Sequence, residues 1–151
     1  MVEFRKILFP VDLSAISTRV ADHAVTVARK FSSELHVIYV VRAFEAFGEI
    51  DYIPSTHYEA SVADLNEAAG ARLRQFVEKN LSDYSAVKWG VVNGHTAREI
   101  LKYIDENDIS LVVMGTHGRR GFDKILFGSV AQRVVQSSPV PVMTIRPSAT
   151  K

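Results

Sequence analysis

Cysteine is absent from the 151 residues, which excludes disulfides and thiolate metal sites and permits a reducing compartment. No apolar run approaches the roughly 20 residues that a membrane-spanning helix requires. The start, MVEFRKILFPVD, is charged early and has only a short apolar run, so it reads as a first strand and not as a signal peptide. Excess charge of one sign is missing too: 18 Lys and Arg against 17 Asp and Glu leave a formal net charge of +1, without the basic footprint of a nucleic-acid binder. The five histidines (His23, His36, His57, His95, His117) make no H-x-x-x-H or H-E-x-x-H pattern, so no zinc site is expected. These absences lead to the expectation of one cytoplasmic domain over residues 1–151, with no membrane insertion and no nucleic-acid partner. At 47% hydrophobic residues, a chain of this length can bury a full core.

What the sequence does contain is an alternation. KILFPV (Lys6–Val11), LHVIYVV (Leu35–Val41), AVKWGVV (Ala86–Val92), SLVVMG (Ser110–Gly115) and VPVMTI (Val140–Ile145) are short, β-branched and mostly continuous, which predicts strands buried on both faces. Segments of helical period separate them. Ile16, Val20, Ala24, Val27 and Phe31 make one stripe; Val62, Leu65, Ala69, Leu73, Phe76 and Val77 make a second. A third holds Ile100, Leu101 and Ile104 behind a capping box of Thr96 and Glu99, and a fourth opens on a similar box of Ser129 and Gln132 and runs through Val134 and Val135. The order βαβαβαβαβ calls for a parallel sheet with helices on both faces. Ligands of such sheets sit beyond the carboxyl ends of the strands, where strand order reverses. The turns after strands one and four, VDLSA and MGTHGRRGFDKILFGSV, are the candidate sites. The long connection Arg42–His57 reads as an ordered or partly mobile flap, and Trp89 and the phenylalanines read as core or flap packing.

The second turn holds Gly115-x-x-Gly118, nine further residues, then Gly128-Ser129. It is not a Walker A loop, because no glycine there precedes a lysine, and the first turn lacks the glycines of a dinucleotide fingerprint. Two readings stay open. In one, the first glycine pair lets a ligand lie on a strand end, the helix opened by Gly128-Ser129 offers N–H donors and a positive dipole end to a phosphate, and Arg119 or Arg120 adds a charge-assisted bond. In the other, Gly115–Gly121 is a flexible loop and Ser129 caps its own helix.

The G-2x-G-9x-G-(S/T) pattern, with KILFPVD at the start and PVPVMTIRP at the end, resembles the universal stress protein family over essentially the whole chain, least in Arg42–His57. The resemblance implies an α/β fold, a single doubly wound five-stranded parallel sheet in the order 3-2-1-4-5 of the adenine-nucleotide alpha-hydrolase-like kind. It also implies the ATP-binding type, with Mg2+ or Mn2+ carried mainly on the phosphates. By position, Pro10, Val11 and Asp12 would lie by the adenosine, and Val40 and Met114 would wall the adenine. Gly115 and Gly118 would receive ribose and phosphates with His117 and Arg119 beside them, and Gly128, Ser129 and Val130 would hold the phosphates. For Asp12 the alternative is support of the following helix.

Function divides three ways: an ATP-dependent regulatory or stress-response switch acting on a protein partner, an ATP hydrolase or nucleotidyl transferase in the same pocket, or a nucleotide-independent interaction module. Near the glycine run the only carboxylate is Asp123 and no Walker-type lysine appears, so no catalytic residue is assigned and the switch is favoured. Val140, Val142 and Ile145 would lie on an edge strand, a hazard that pairing with a second copy removes; the alternative is that Pro139, Pro141 and Pro147 protect the edge.

Overall fold

The computed structural model describes residues 1–43, 55–117 and 127–146. Along the chain run β1 (Lys6–Val11), α1 (Ala15–Phe31), β2 (Glu34–Val41), α2 (Ser55–Asn80), β3 (Val87–Asn93), α3 (Thr96–Glu106), β4 (Leu111–Gly115), α4 (Ser129–Ser137) and β5 (Val142–Ile145). The strands form one five-stranded sheet in the order β3-β2-β1-β4-β5, and each neighbouring pair is parallel. Strand order reverses between β1 and β4, which is where the two candidate turns leave the sheet.

Alternation along each strand divides the apolar residues between two faces. Ile7, Phe9 and Val11 of β1 pack with Val20, Ala24 and Ala28 of α1 and with Leu73 and Phe76 of α2. Leu8, Ile38, Val40 and Met114 point the other way, against Ala97, Ile100 and Ile104 of α3 and Ala131 and Val134 of α4. The small alanines on α1 let that helix lie close to the sheet.

Pro10 shapes the centre of the sheet. The Glu34 N–H donates to the Arg5 carbonyl and the Ser110 N–H to the Lys6 carbonyl, so odd-numbered β1 backbone groups face β2 and even-numbered ones face β4. Pro10 therefore lacks its N–H on the β4 side. The β1–β4 register runs through Ile7↔Leu111 and Leu8↔Val112, whereas the register with β2 continues to Val11↔Tyr39. Beyond Leu8 the two central strands part, and the crevice at the reversal point opens there.

Several sequence expectations are corrected. β3 is an edge strand and is not buried on both faces; its Trp89 is 44% exposed and is not core. Phe31 and Val135, placed on apolar stripes, are also exposed; the buried stripe of α1 turns through Ala21 and Ala28 instead. Neither expected capping box closes. His95 is the N-cap of α3, which makes Thr96 the first helical residue, and no side chain caps that end. Gly128 is the N-cap of α4, again without a side-chain bond, so Ser129 is not spent on its own helix. Helix α2 starts at Ser55, ahead of the expected end of the long connection; the flap reading otherwise falls on 44–54, outside the described residues. Val140 precedes β5, which starts at Val142.

At the opposite end of the sheet, buried His36 links two elements. Its Nε2 lies 2.6 Å from Glu34 Oε1 and its Nδ1 2.9 Å from the Tyr103 hydroxyl, while Lys88 Nζ stands 3.1 Å from the same carboxylate oxygen. Hydrogen bonds from His36 and then Lys88 hold the Glu34 carboxyl below its usual value of 4.5. A depressed carboxylate stabilises the fold above its unfolded value and loses that contribution as pH falls through the native one. Glu34→Gln is therefore expected to lower the melting temperature at neutral pH and to narrow the gap between melts at neutral pH and at about pH 3.5. A gap as wide as the wild type's would remove Glu34 from the acid limb.

Candidate functional site

The turn after β1 is built around one carboxylate oxygen. Asp12 Oδ1 accepts from the Ser14 N–H at 2.9 Å, the Ser14 hydroxyl at 2.6 Å and the Ser17 hydroxyl at 2.7 Å. The Ser17 Oγ in turn accepts the Asp12 N–H at 3.0 Å, and Ser14 caps α1 by accepting from the Ile16 N–H. Through this oxygen Asp12 supports the start of α1. Leu13 completes the turn at φ 61°, a conformation that is strained for a bulky side chain.

Glycines 115 and 128, alike in sequence, differ in what they do. A Cβ on Gly115 would stand 3.1 Å from Ile16 Cγ2 and 3.3 Å from the His117 carbonyl oxygen, so this glycine lets α1 pack on the end of β4. Gly128 has φ −70° and ψ 164°, which any residue adopts, and among the described residues a Cβ there would meet nothing nearer than the Thr116 carbonyl at 3.4 Å. The fold does not need glycine at 128. Glycine at 128 places no side chain of its own over the first turn of α4.

Thr116 joins the strand end to that helix. It is buried; its N–H donates to the Ile145 carbonyl at 3.0 Å and its own carbonyl accepts the Gly128 N–H at 2.6 Å. Sequence reasoning missed this residue, although a hydroxyl beside the strand-terminal Gly115 is a usable signal. The Thr116 hydroxyl also meets His117 Nδ1 at 3.0 Å. His117 Nε2 is buried and has no hydrogen-bond partner among the described residues. An orphaned ring nitrogen and a helix N-terminus that no side chain caps are together a fit for the oxygens of a phosphate.

Of the residues expected at the site, Val40, Met114 and Val130 come together in one apolar cluster under the crevice. Pro10 borders the crevice from β1, and Gly115, His117, Gly128 and Ser129 meet at the β4–α4 corner. Val11 is different: its side chain lies in the core on the α1 and α2 face, so only its backbone is on hand. Gly118, Arg119 and Arg120 lie outside the described residues. Beside the corner, a cleft of about 560 Å³ runs between α3 and α4, lined by Ser129 and Val130 and also by Arg42, His95, Arg98 and Arg133, none of which the sequence had singled out as site residues. Among the described residues no three His, Asp or Glu side chains gather as a metal site, and no helix is long and apolar enough to cross a membrane.

The family model described as the universal stress protein family matches residues 3–146. The chain belongs to the universal stress protein family. Universal stress protein MJ0531 of Methanocaldococcus jannaschii is 32% identical over 149 residues, covering 95% of this chain and 82% of that one. Universal stress protein YxiE of Bacillus subtilis is 28% identical over 148 residues, covering 95% and 99%. Among solved structures, protein MJ0577 of Methanocaldococcus jannaschii superposes with a TM-score of 0.81 at 23% identity, covering 99% of this chain and 100% of that one. Two further universal stress proteins share the fold: one in complex with cAMP, at TM-score 0.66 and 20% identity over 96% of this chain and 98% of that one, and one from Archaeoglobus fulgidus in complex with dAMP, at 0.57 and 21% over 96% and 100%.

Proposed function

We propose that this universal stress protein binds an adenine nucleotide in the crevice between β1 and β4, that ATP with Mg2+ or Mn2+ on its phosphates is the physiological form, and that occupancy switches how the protein engages its partners in the cytoplasm. The observation that carries the reading is the open first turn of α4, held against the end of β4 by the 2.6 Å bond between the Gly128 N–H and the Thr116 carbonyl. N–H groups of Ser129 and Val130 at the start of α4, the Ser129 hydroxyl and His117 would receive phosphate oxygens, while Val40 and Met114 would lie against the base. A nucleotide supplies charge at the α4 terminus and, through its metal, neutralises its own phosphates. The cAMP and dAMP complexes of family relatives support adenine as the base.

A switch fits better than an enzyme. Phosphoryl transfer needs a group that orients the attacking water or acceptor; the carboxylate of the β1 turn, Asp12, is engaged through Oδ1 by Ser14 and Ser17, and no carboxylate lines the cleft beside Ser129 among the described residues. The partner we propose first is a second copy at β5, which pairs with β4 on one side and forms the sheet edge on the other. Val142 and Ile145, expected to mediate this contact, are half-buried against the protein's own core. The apolar side chain that β5 offers is Met143, 39% exposed.

The test is to denature the purified protein and identify released nucleotide by chromatography, then to titrate stripped protein with Mg-ATP in a calorimeter. Recovered ATP is the expected result; recovered ADP would favour the hydrolase. No nucleotide and no heat would reject both nucleotide readings and leave the interaction module.

A further inference from the structure

The sheet ends in two edge strands, β3 and β5, and they are guarded unequally. An open edge shows unpaired N–H and carbonyl groups that template a further strand, and proteins blunt it with short strands, proline or charge. β5 is four residues long and follows Pro139 and Pro141. β3 is seven residues long and has no proline. Its single charge, Lys88, is drawn back over the sheet, where Nζ lies 3.1 Å from Glu34 Oε1 on β2. The Leu35 N–H donates to the Ala86 carbonyl and the Gly94 N–H to the Val41 carbonyl, so even-numbered backbone groups of β3 face β2. Val87, Trp89, Val91 and Asn93 therefore turn their N–H and carbonyl groups outward, and among the described residues no other strand pairs with them. Val87 and Val91 lie half-buried against the α1 and α2 core, yet Trp89 between them is 44% exposed. Gly90 is a further sign. A Cβ there would meet nothing within 4 Å among the described residues, so the fold does not need glycine at this position. Glycine inside a strand weakens it, and often marks a place where another backbone comes close.

We propose that the β3 edge pairs antiparallel with the β3 edge of a second copy of this chain, with Trp89 on the two-fold axis. The register follows from which groups face outward. Backbone bonds are exchanged only where outward-facing residues of both strands stand opposite each other, so the choices are few. Centring on Trp89 sets Val87 opposite Val91 and Lys88 opposite Gly90. Val87, Trp89 and Val91 of both copies then form one apolar strip, continuous with the α1 and α2 core of each, and the Lys88 stem crosses a position without a side chain. Centring on Lys88 would set like charges opposite each other, which destabilises. Centring on Gly90 would set Val87 opposite Asn93 and part the two Trp89 rings. A strand that complements itself in one register is what an isologous two-fold interface requires, and this favours a second copy over a foreign strand. The contact uses neither β5 nor the crevice between β1 and β4, so it stands apart from the nucleotide reading. Together with pairing at β5 on the opposite edge, it would join dimers into larger assemblies.

Trp89 is the single tryptophan of the chain and cysteine is absent, so tryptophan emission and engineered cysteines both report on this edge alone. Full-length wild type is diluted from about 1 mM to about 1 μM, a window that spans weak to moderate dissociation constants, while sedimentation and emission are followed. The expected result is association at high concentration with a blue shift of the emission as the rings leave water. W89K sets like charges opposite each other on the axis and is expected to weaken that step about tenfold or more, while any association through β5 survives. Oxidative cross-linking tests the register. A mixture of K88C and G90C is expected to form a disulfide dimer, and either variant alone is not. Residues directly opposite on paired strands come within disulfide reach, about 4.5–5.5 Å between Cα atoms, whereas diagonal neighbours at about 7–8 Å do not. Melting temperatures check that the variants fold. Should W89K fail to fold, wild-type emission and the cysteine mixture decide, because both keep Trp89. Association with unshifted emission places the contact at another surface and overturns the proposal, and so does K88C that cross-links with itself as readily as with G90C. Fixed emission with no cross-link also overturns it, and leaves the β3 edge to a strand of another protein. Failure to bind nucleotide would move none of these readouts.

Discussion

Gly128→Val should abolish nucleotide binding while leaving the protein folded. The substitution costs little in structure. The backbone at 128 already has φ −70° and ψ 164°, and the added Cβ makes only an ordinary contact, 3.4 Å from the Thr116 carbonyl. Valine is a poorer N-cap than glycine by about 0.5–1 kcal/mol, and for a protein of this size that lowers the melting temperature by about 1–4 °C. The valine methyl groups, however, fill the space over the first turn of α4. A phosphate excluded from there loses charge-assisted hydrogen bonds worth about 1.5–3 kcal/mol each, and losing two weakens binding by about a hundredfold or more. Calorimetric titration with Mg-ATP beside a thermal melt measures both. Undiminished affinity in a folded Gly128→Val protein would move the site elsewhere.

Gly115→Val should behave in the opposite way. Its Cβ would press on Ile16 and the His117 carbonyl, and overpacking of this kind costs about 1–3 kcal/mol. The sequence pairs the two glycines in one motif and cannot separate them, because spacing says which residues lack a side chain but not what fills the space. The same limit explains Ser129. Ser129 and Gln132 stand at capping-box spacing, yet the chain enters α4 one residue earlier, at Gly128, because that residue's N–H is held by Thr116. A long-range bond to a strand end sets the cap, and no local pattern encodes it.

The fold was legible further than the site. The alternation of strands and helices and the parallel direction follow from runs of β-branched residues between helical periods, the sheet order is what the family resemblance implies, and β1 was bounded correctly at both ends. Where pattern failed, it failed at edges. AVKWGVV is as apolar as a central strand, but β3 has a single neighbour in the sheet, and Trp89 stays exposed. On α4, Val134 is buried whereas its neighbour Val135 is 44% exposed; a two-valine step on a helix does not say which one faces the sheet. The arginines of the cleft were invisible for a related reason. Arg42, Arg98 and Arg133 are far apart in sequence and look like ordinary solvated charges until α3 and α4 bring them to one cleft.

Because the sheet has two separate cores, stability and binding should respond separately to substitution. Phe9 is fully buried on the α1 and α2 face, with its ring 6.2 Å from that of Phe76. Phe9→Ala removes the ring and leaves a cavity, at a cost of about 3–5 kcal/mol. At about 2–4 °C per kcal/mol for a chain of this size, the melting temperature falls by about 6–20 °C. Val40, Met114 and Val130 belong to the other cluster, and Gly128 is fixed by Thr116 and not by Phe9. Nucleotide affinity, measured by calorimetry at a temperature where the variant is fully folded, should therefore stay within about threefold of wild type, less than the tenfold that 1.4 kcal/mol represents. A tenfold loss in folded protein would show that the α1 and α2 face reaches the crevice, the Asp12 turn being the obvious route. A melting temperature lowered by under about 3 °C would instead mean that the core closes around the missing ring, as relaxed cavities do at the low end of the range.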